Sequence, residues 1–289
     1  MNKKKECDVF ILGASGMLGN SILRYFKSKN KLNVIGSIRS SKTPQKLNFY
    51  DEYIVKNLNI EDENNLREVM QRYCPKIIIN CIGLVKQIDS STDPIKAIQI
   101  NSLLPHRLTS ICESVDAKLI HISTDCVFNG KKGMYNESDD PNATDLYGRT
   151  KLLGEIIDSK NITLRTSIIG HELSTKHSLL EWFLSQDEEI NGFDKAIFSG
   201  LPTVELSRVI HDFVIPNKHL NGLYNVSSEP INKFELLSLI SDQYSKKIKI
   251  NVDSGLVINR SLNSSKFQDQ TGYKSPSWKD MIYEMHKFG

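Results

Sequence analysis

Short apolar runs alternate with helical periodicity through the first half of the chain. The apolar runs predict strands at Asp8–Leu12, Leu32–Ser37, Glu52–Lys56, Ile77–Cys81, Lys118–Ser123 and Thr163–Thr166. The helical periodicity between them predicts helices at Met17–Lys29, Glu61–Arg72, Pro94–Ser114 and Asp145–Ser159. Two of the apolar runs, 77–80 and 119–122, lack polar alternation, which is typical of strands covered on both faces. Strands that alternate with helices in this way indicate parallel βαβ units.

The pattern becomes irregular in the second half of the chain. Helices are predicted there at Leu179–Leu184, Val204–Val214 and Lys233–Tyr244, and a short strand at Gly222–Val226. The C-terminal tail is polar and mixed. We therefore predict an α/β fold: a Rossmann-type doubly wound parallel sheet with a smaller C-terminal substrate-binding lobe. The predicted boundaries are 1–170 for the nucleotide-binding domain, with a returning segment near 201–227, and 171–200 plus 228–289 for the lobe.

The composition is that of an ordinary soluble protein, with 25% charged and 39% hydrophobic residues. The net charge of +3 is too small to indicate a nucleic-acid or membrane partner. The basic run Lys3–Lys5 is not followed by the apolar segment of a signal peptide, and no segment is apolar enough to span a membrane. Five cysteines without regular spacing fit a reduced, cytoplasmic protein, and no metal-ligand spacing is present.

Three glycines, Gly13, Gly16 and Gly19, follow the first predicted strand and open the first helix. Gly13 permits a tight turn, Gly16 lets a pyrophosphate approach the backbone, and Gly19 allows the helix to pack closely on the strand. The spacing is G-x-x-G-x-x-G, which differs from the usual dinucleotide fingerprint, and glycines that only shape the turn are the alternative. The candidate cofactor-binding residues of this segment are Gly13, Ser15, Gly16, Met17, Leu18 and Gly19.

The ends of the later strands add further candidates for cofactor binding. Arg39 follows the second strand, where an acidic residue would bind the ribose of NAD and an arginine accommodates the 2′-phosphate of NADP. We therefore predict NADP as the cofactor. NAD stays an alternative, because Arg39 also fits a solvated loop residue. The topology places four more candidates after the third and fourth strands: Asn59, Ile60, Cys81 and Gly83.

Tyr147 and Lys151 are four residues apart in a predicted helix. Residues at this spacing share a helix face, so the ammonium can approach the phenol. A nearby positive charge favours phenolate and lowers the pKa of tyrosine from about 10 toward neutral pH. Tyr147 is therefore a candidate proton donor or acceptor at a carbonyl or an alcohol. The same pair also occurs by chance on solvated helices, and the preceding glycine motif is what gives it weight.

With the segment Ser-Thr-Asp-Cys-Val-Phe at 123–128, the chain resembles an extended short-chain dehydrogenase/reductase. It is most similar to dTDP-4-dehydrorhamnose reductases and related reductases of nucleotide-linked keto-sugars. Further segments carry this resemblance over nearly the whole chain: 146–151, 164–170, 200–203 and 260–264.

The resemblance implies a catalytic role for each residue of a triad. Thr124 would hydrogen-bond the substrate carbonyl, and Tyr147 would protonate its oxygen as hydride arrives from the nicotinamide. Lys151 would hold the nicotinamide ribose and lower the tyrosine pKa. Hydride addition builds negative charge on the oxygen, which positioned donors stabilise. Asn101 matches an asparagine that often supports the site in this family, and an ordinary polar helix residue is the alternative.

Asp125 and Cys126 help to separate the reaction classes. Related 4,6-dehydratases usually carry a glutamate base where this chain has Cys126, so dehydration is disfavoured. Epimerase-reductases of the superfamily place a cysteine at this position and use a histidine from the following lobe, which His177 or His171 would match. Thiol and imidazole groups can both exchange protons when suitably tuned. A small buried cysteine and a solvated histidine are the alternatives, and Asp125 fits either a substrate hydroxyl or a structural hydrogen bond.

The function expected from the resemblance is NADPH-dependent reduction of a nucleotide-activated 4-keto-6-deoxy sugar for surface-polysaccharide synthesis. Arg260 would pair with the substrate diphosphate as a charge-assisted donor. The candidate substrate-binding residues are Asp125, Cys126, His177 and Arg260. Two alternatives stay open: an epimerase-reductase that uses Cys126 and His177, and a non-catalytic regulatory subunit that binds NAD(P). The expected partner is a nucleotide sugar, and dimers in the family favour a homodimer.

Overall fold

The computed structural model describes residues 7–84 and 93–289. The basic run Lys3–Lys5 lies outside the described residues. The contacts within the chain divide it into two compact units. The first consists of Met1–Ser123, Asp145–Leu164 and His219–Leu223, and the second of Thr124–Thr144, Arg165–Lys218 and Tyr224–Gly289. The predicted domain boundaries stay a prediction, because compactness does not show which segments bind cofactor or substrate.

The described residues form the following strands and helices. The strands are β1 Val9–Leu12, β2 Val34–Ser37, β3 Ile54–Val55, β4 Ile77–Asn80, β5 Lys118–Thr124, β6 Ile162–Thr166, β7 Ile168–Ile169, β8 Ile190–Phe193, β9 Ala196–Phe198, β10 Leu201–Pro202, β11 Gly222–Asn225, β12 Ile231–Asn232, β13 Ile250–Asp253 and β14 Ile258–Asn259. The α-helices are α1 Met17–Lys29, α2 Glu63–Tyr73, α3 Pro94–Ala97, α4 Leu104–Val115, α5 Leu146–Leu153, α6 Leu179–Leu184, α7 Thr203–Val209, α8 Lys233–Gln243, α9 Ser265–Thr271 and α10 Trp278–Phe288.

A seven-stranded sheet has the order β11-β6-β5-β4-β1-β2-β3. β1 pairs in parallel with both β2 and β4, and β4 pairs in parallel with β5. The chain therefore runs outward from β1 to β3 and then returns to the other side of β1 at β4. This reversal is the switch point of a doubly wound sheet, where ligands bind beyond the carboxyl ends of the strands. The Rossmann-type fold predicted from the sequence is confirmed.

The core of the first unit explains why its strands lack polar alternation. All four residues of β1 are buried. Phe10 and Leu12 belong to an apolar cluster that also contains Met70 of α2 and Leu108 of α4. Ile11 is equally buried. Because side chains alternate across a strand, both faces of β1 are covered.

One helix of the first unit departs from the predicted regularity. The segment predicted as a single helix at 94–114 consists of α3, a π-helical stretch Ile98–Leu103, and α4. Helix α5 ends at Leu153, before the predicted end at Ser159. A side chain on the following residue, Gly154, would overlap the carbonyl oxygen of Asn101. The C-terminal end of α5 therefore packs closely against the π-helical stretch.

The second unit contains small sheets and two helices that the sequence analysis left as an irregular tail. β9 pairs with β12 and β14, and β13 pairs with β8. Helix α10 begins after Ser277, whose side chain accepts a hydrogen bond from the backbone of Asp280, and it buries Trp278, Met281 and Met285. None of the helices in the described residues is long and apolar enough to cross a membrane.

Candidate active site

The glycine turn after β1 has the geometry of an anion-binding site. Gly13 has a φ of +82°, which favours glycine, and the amide of Gly16 donates to its carbonyl oxygen at 3.0 Å. A side chain on Gly19 would overlap that oxygen and lie 2.7 Å from the carbonyl carbon of Gly13. Helix α1 has no side-chain cap and no acidic residue in its first turn. Its first amides are thus available to a phosphate, which the helix dipole favours.

This turn lies at the switch point of the sheet. A side chain on Gly13 would come within 2.9 Å of Ile82 and 3.5 Å of the carbonyl carbon of Cys81, just after β4. The amide of Ala14 donates to the carbonyl oxygen of Ser37, the last residue of β2, at 2.8 Å. The carboxyl ends of β1, β2 and β4 therefore meet at the crevice in which a Rossmann-type sheet holds a dinucleotide.

The other predicted cofactor residues differ in their exposure and in their contacts within the fold. Ser15 and Arg39 are exposed, Met17 is half-buried and Leu18 is buried. The side-chain oxygen of Asn59 accepts the amide of Glu61 at 3.1 Å. Ile60 is half-buried against the apolar cluster. The contacts of Asn59 and Ile60 with a cofactor stay a prediction. The Ile60 side chain already packs against the apolar cluster.

Tyr147 and Lys151 lie one turn apart on α5. The helix is fixed by Asp145, whose carboxylate accepts the amide of Gly148 at 2.8 Å. Lys151 is 5% exposed, and its ammonium donates to the carbonyl oxygen of Ile122 at 2.7 Å. A side chain on Gly83 would lie 3.9 Å from the same nitrogen, so the ammonium is beside the chain that leaves β4. Burial lowers the pKa of Lys151 to about 8, and Glu155 and Cys81 oppose this shift.

Asn101, in the π-helical stretch, connects the chain after β4 with α5. Its side-chain oxygen accepts the amide of Leu84 at 2.9 Å, and its Nδ2 donates to Oγ1 of Thr150 at 3.2 Å. Nδ2 also approaches the carbonyl oxygen of Leu84 at 3.3 Å. π-helical turns often occur at functional sites. Asn101 thus holds the segment that bears Gly83 against the helix that carries Tyr147 and Lys151.

Thr124, Asp125 and Cys126 belong to the second compact unit. Oγ1 of Thr124 accepts the amide of Cys126 at 3.1 Å and donates to Asp125 at 3.2 Å. Burial raises the pKa of Asp125, and hydrogen bonds from Cys126 and Thr124 together with the charges of Arg260 and Lys233 oppose this shift. Burial and the neighbouring Asp125 raise the pKa of the Cys126 thiol to about 12. The thiol is therefore protonated at neutral pH, which does not favour a role as a base.

The sequence of the chain matches one family over almost its full length. The model of the RmlD substrate binding domain covers residues 7–287. The chain belongs to this family.

Two curated relatives of this RmlD-type chain have names of different kinds: one is a probable reductase and the other a subunit of an adenosyltransferase. A probable low-salt glycan biosynthesis reductase, Agl14 of Haloferax volcanii, is 30% identical over 147 residues, which cover 50% of the chain and 47% of Agl14. The chain thus spans about half the length of that relative. Methionine adenosyltransferase 2 subunit beta of Xenopus laevis is 32% identical over 255 residues, which cover 81% of the chain and 71% of the subunit.

Solved structures share the fold of the RmlD-type chain. The dTDP-4-dehydrorhamnose reductase of Bacillus anthracis, in complex with NADP, has a TM-score of 0.81 at 22% identity and covers 98% of this chain and 100% of its own. The dTDP-4-dehydrorhamnose reductase of Clostridium acetobutylicum has a TM-score of 0.79 at 22% identity and covers 97% of this chain and 98% of its own. The family resemblance drawn from the sequence is confirmed.

The remaining candidates of this RmlD-type chain lie in its second unit. Arg260 is half-buried, and its Nε donates to the carbonyl oxygen of Phe128 at 2.8 Å. His177 is exposed. Both ring nitrogens of His171 are engaged, Nδ1 with Glu181 at 2.8 Å and Nε2 with the hydroxyl of Tyr244 at 2.9 Å. A histidine held in this way does not favour proton exchange with a substrate.

Lys233, at the start of α8, was missed by the sequence analysis. Its charge acts on Asp125 and Cys126, and its ammonium lies 4.0 Å from the centroid of the Phe198 ring. The sequence carries no motif around it, and the juxtaposition depends on folding. Among the described residues, no group of three or more His, Cys, Asp or Glu side chains could hold a metal ion.

Proposed function

We propose that this protein is an NADPH-dependent reductase of a nucleotide-activated 4-keto-6-deoxy sugar, acting in nucleotide-sugar and surface-polysaccharide synthesis. The observation that carries the proposal is the placement of Lys151. Its ammonium lies beside Gly83 at the carboxyl end of β4, one helical turn from Tyr147. The family match and the dTDP-4-dehydrorhamnose reductases of the same fold support the substrate class.

The residues at the glycine turn fit a dinucleotide. The uncapped amides of α1 suit a pyrophosphate, and Gly19 keeps the helix close to the turn. When bound, NADPH would supply the hydride. The chain itself would supply the proton: Tyr147 donates its phenolic proton to the carbonyl oxygen as negative charge develops there. Lys151, held by Ile122, would favour the phenolate that remains and would contact the ribose.

The role of Thr124 rests on the family resemblance. Its hydroxyl would donate a hydrogen bond to the substrate oxygen and stabilise the developing charge. To do so, it would exchange its 3.2 Å hydrogen bond to Asp125 for one to substrate. Its Oγ1 would keep the amide of Cys126 as a second contact, which fixes the hydroxyl in place.

The proposed function is tested by measuring NADPH consumption with freshly generated dTDP-, UDP- and GDP-4-keto-6-deoxy sugars. Turnover with one donor, and an NMR spectrum of the corresponding deoxy sugar, would support the proposal and identify the nucleotide. Absence of turnover with every donor, despite NADPH binding, would contradict it.

The preference for NADP is proposed to depend on Arg39. This side chain is exposed near the end of β2, the strand whose last carbonyl accepts Ala14 of the glycine turn. A charge-assisted hydrogen bond to a phosphate contributes about 1.5–3 kcal/mol, so Arg39→Ser should weaken NADPH binding by about 10- to 100-fold. NADH affinity should be unchanged. Titration of both cofactors by fluorescence measures the effect, with Arg24→Ser on α1 as the control. Equal losses for NADPH and NADH would contradict this assignment.

A second candidate reaction is epimerisation before reduction, through Cys126 and His177. The raised pKa of the Cys126 thiol and the engaged ring of His171 favour simple reduction over this alternative. We therefore expect Cys126→Ser and His177→Asn to retain kcat within about threefold, less than 1 kcal/mol of transition-state stabilisation. NMR of products formed in deuterated water should show no solvent deuterium at C3 or C5. Deuterium at these carbons, lost in both variants, would establish the epimerase-reductase.

A third candidate is a dinucleotide-binding subunit of another protein. The alignment with methionine adenosyltransferase 2 subunit beta of Xenopus laevis supports this candidate function. This role requires no turnover, so the keto-sugar assay separates it from the reductase. The chain contains all three residues of the proposed catalytic set, Thr124, Tyr147 and Lys151, which supports the reductase.

A further inference from the structure

A buried histidine, His121, lies in the sheet next to the last residue of β4. It is on β5 and is paired with Asn80 in the parallel register of the two strands. Both residues are 1% exposed. Nδ1 of His121 lies 3.2 Å from Nδ2 of Asn80. Nε2 of the same ring is buried and has no hydrogen-bond partner within residues 7–84 and 93–289, so in that part of the chain the polar contact of the ring is directed to Asn80.

The hydrogen bonds of Asn80 determine which ring nitrogen of His121 carries a proton. Oδ1 of Asn80 accepts the amide of Ile82 at 3.1 Å, so the side-chain amide presents its donor, Nδ2, to the histidine. A ring nitrogen accepts a hydrogen bond only when it carries no proton. Nδ1 is therefore the acceptor, and the neutral ring carries its proton on Nε2. Burial and the charges of Lys151 and His106 lower the pKa of His121 well below its usual range, which keeps the ring neutral.

Asn80 shapes the turn through which the chain leaves β4. Its Oδ1 holds the amide of Ile82, and the amide of Cys81 donates to the carbonyl oxygen of Leu12 on β1 at 3.1 Å. A side chain on Gly13 would lie only 2.9 Å from the side chain of Ile82. The turn after β4 therefore borders the glycine turn closely, at the crevice where a dinucleotide would lie.

The same turn borders α5 on its other side. A side chain on Gly83 would lie 3.5 Å from Oδ1 of Asn101 and 3.9 Å from the ammonium of Lys151. Oδ1 of Asn101 accepts the amide of Leu84 at 2.9 Å, so a hydrogen bond holds the far end of the turn. Asn80 holds the near end. The position of the turn thus depends on two asparagine side chains.

Asn80 can hold the turn in only one orientation of its side-chain amide. Half a rotation would place Nδ2 against the amide of Ile82, and Oδ1 against the unprotonated Nδ1 of His121. Two donors and two acceptors would then face each other. An apolar residue in place of His121 would leave Nδ2 buried without an acceptor, which favours another orientation of the side chain and release of Ile82.

We propose that His121 is a positioning residue for the cofactor: by accepting a hydrogen bond from Asn80, it fixes the turn after β4 that borders the dinucleotide. It acts through Asn80 and not by contact with the reacting atoms. This role rests on the proposed function only for the binding of a dinucleotide. Cofactor affinity therefore tests it whether or not a keto-sugar is reduced.

Three variants of His121 differ in where they place an acceptor. The side-chain oxygen of His121→Asn can occupy the position of Nδ1, the longer side chain of His121→Gln places its oxygen near that of Nε2, and His121→Leu has no acceptor. Fluorescence titration should give NADPH and NADH affinities within about twofold of the wild type for His121→Asn, and about 5- to 10-fold weaker for the other two, the effect of one neutral hydrogen bond. His219→Asn, which changes an exposed histidine before β11, should match the wild type.

Thermal melts of the same variants separate positioning from packing. Asparagine removes more volume from the buried site than glutamine or leucine does, so a role in packing alone would give His121→Asn the lowest melting temperature and the weakest cofactor binding. We expect the opposite order of affinities. Affinities that follow the melting temperatures, or that are equal in His121→Asn and His121→Gln, would overturn the proposal, as would failure of His121→Asn to fold.

Nitrogen NMR of the wild type with isotope-labelled histidine tests the hydrogen bond without a substitution. The signal that is absent from the His121 variants should show a neutral ring with its proton on Nε2. A proton on Nδ1, or a charged ring at neutral pH, would overturn the proposal. Binding of NADPH without reduction of any keto-sugar would contradict the proposed function alone, whereas a wild type that binds neither dinucleotide would contradict both.

Discussion

Replacement of Tyr147 by phenylalanine should lower kcat for the keto-sugar by about 10²- to 10⁴-fold, the usual contribution of a positioned general acid. The substitution removes only the hydroxyl, and α5 keeps its cap at Asp145 and the buried Lys151. The affinity for NADPH should therefore be unchanged. Steady-state kinetics and fluorescence titration of NADPH measure the two quantities on the same preparation.

The matched control for this variant is Tyr283→Phe, because Tyr283 is exposed on α10. It should retain wild-type kcat. Turnover of Tyr147→Phe at the wild-type rate would show that the proton comes from another group. If Tyr147→Phe loses both NADPH binding and turnover, Tyr147 instead helps to maintain the structure of the cofactor crevice.

Replacement of Gly19 by alanine should weaken dinucleotide binding by at least about tenfold and lower the free energy of unfolding by about 1–3 kcal/mol. The new carbon would overlap backbone atoms of Gly13, which cannot move without displacing the turn from β1. α1 would shift away from the phosphate site. Urea denaturation gives the stability change, and NADPH titration gives the affinity.

A control for the glycine substitution is Gly255→Ala, where the nearest atom is the carboxylate oxygen of Asp253 at 3.0 Å. Gly255 is exposed, and this contact is with the end of a half-buried side chain and not with backbone, so we expect less than about 0.5 kcal/mol of change. If Gly19→Ala binds NADPH as the wild type does, the close approach of α1 to the turn is not required for the cofactor.

The sheet of the first unit could be predicted because several independent signals agreed. Its inner strands, such as β1 and β4, are short apolar runs, and α1 begins and ends at the predicted residues Met17 and Lys29. The glycines between β1 and α1 have a backbone requirement that sequence spacing expresses directly. The crevice at the switch point then follows from the strand order.

The two helices of the tail, α9 and α10, were not predicted from the sequence, although one signal for α10 was present. α10 buries Trp278, Met281, Ile282 and Met285, which follow the i, i+3, i+4, i+7 periodicity of an amphipathic helix. The charged residues between these four positions made the apolar periodicity difficult to recognise in the sequence. The π-helical stretch Ile98–Leu103 has no comparable signal, since its geometry depends on packing against α5.

The placement of Tyr147 and Lys151 one turn apart on one helix could be predicted, because it follows from local spacing. The site was not predictable where residues meet through folding. Asp125 and Lys233 are distant in the chain, and the residues between them contain no pattern that pairs them. The engagement of His171 by Glu181 and Tyr244 likewise depends on packing within the second unit.

Hydride transfer from NADPH deuterated at the transferred position tests the proposed reduction most directly. The wild type is incubated with the nucleotide-linked 4-keto-6-deoxy sugar, and the product is analysed by NMR. We expect one deuterium at C4 of the sugar, a new alcohol at that carbon and stoichiometric NADP. An unchanged keto-sugar beside bound, unoxidised NADPH would contradict the proposed reduction.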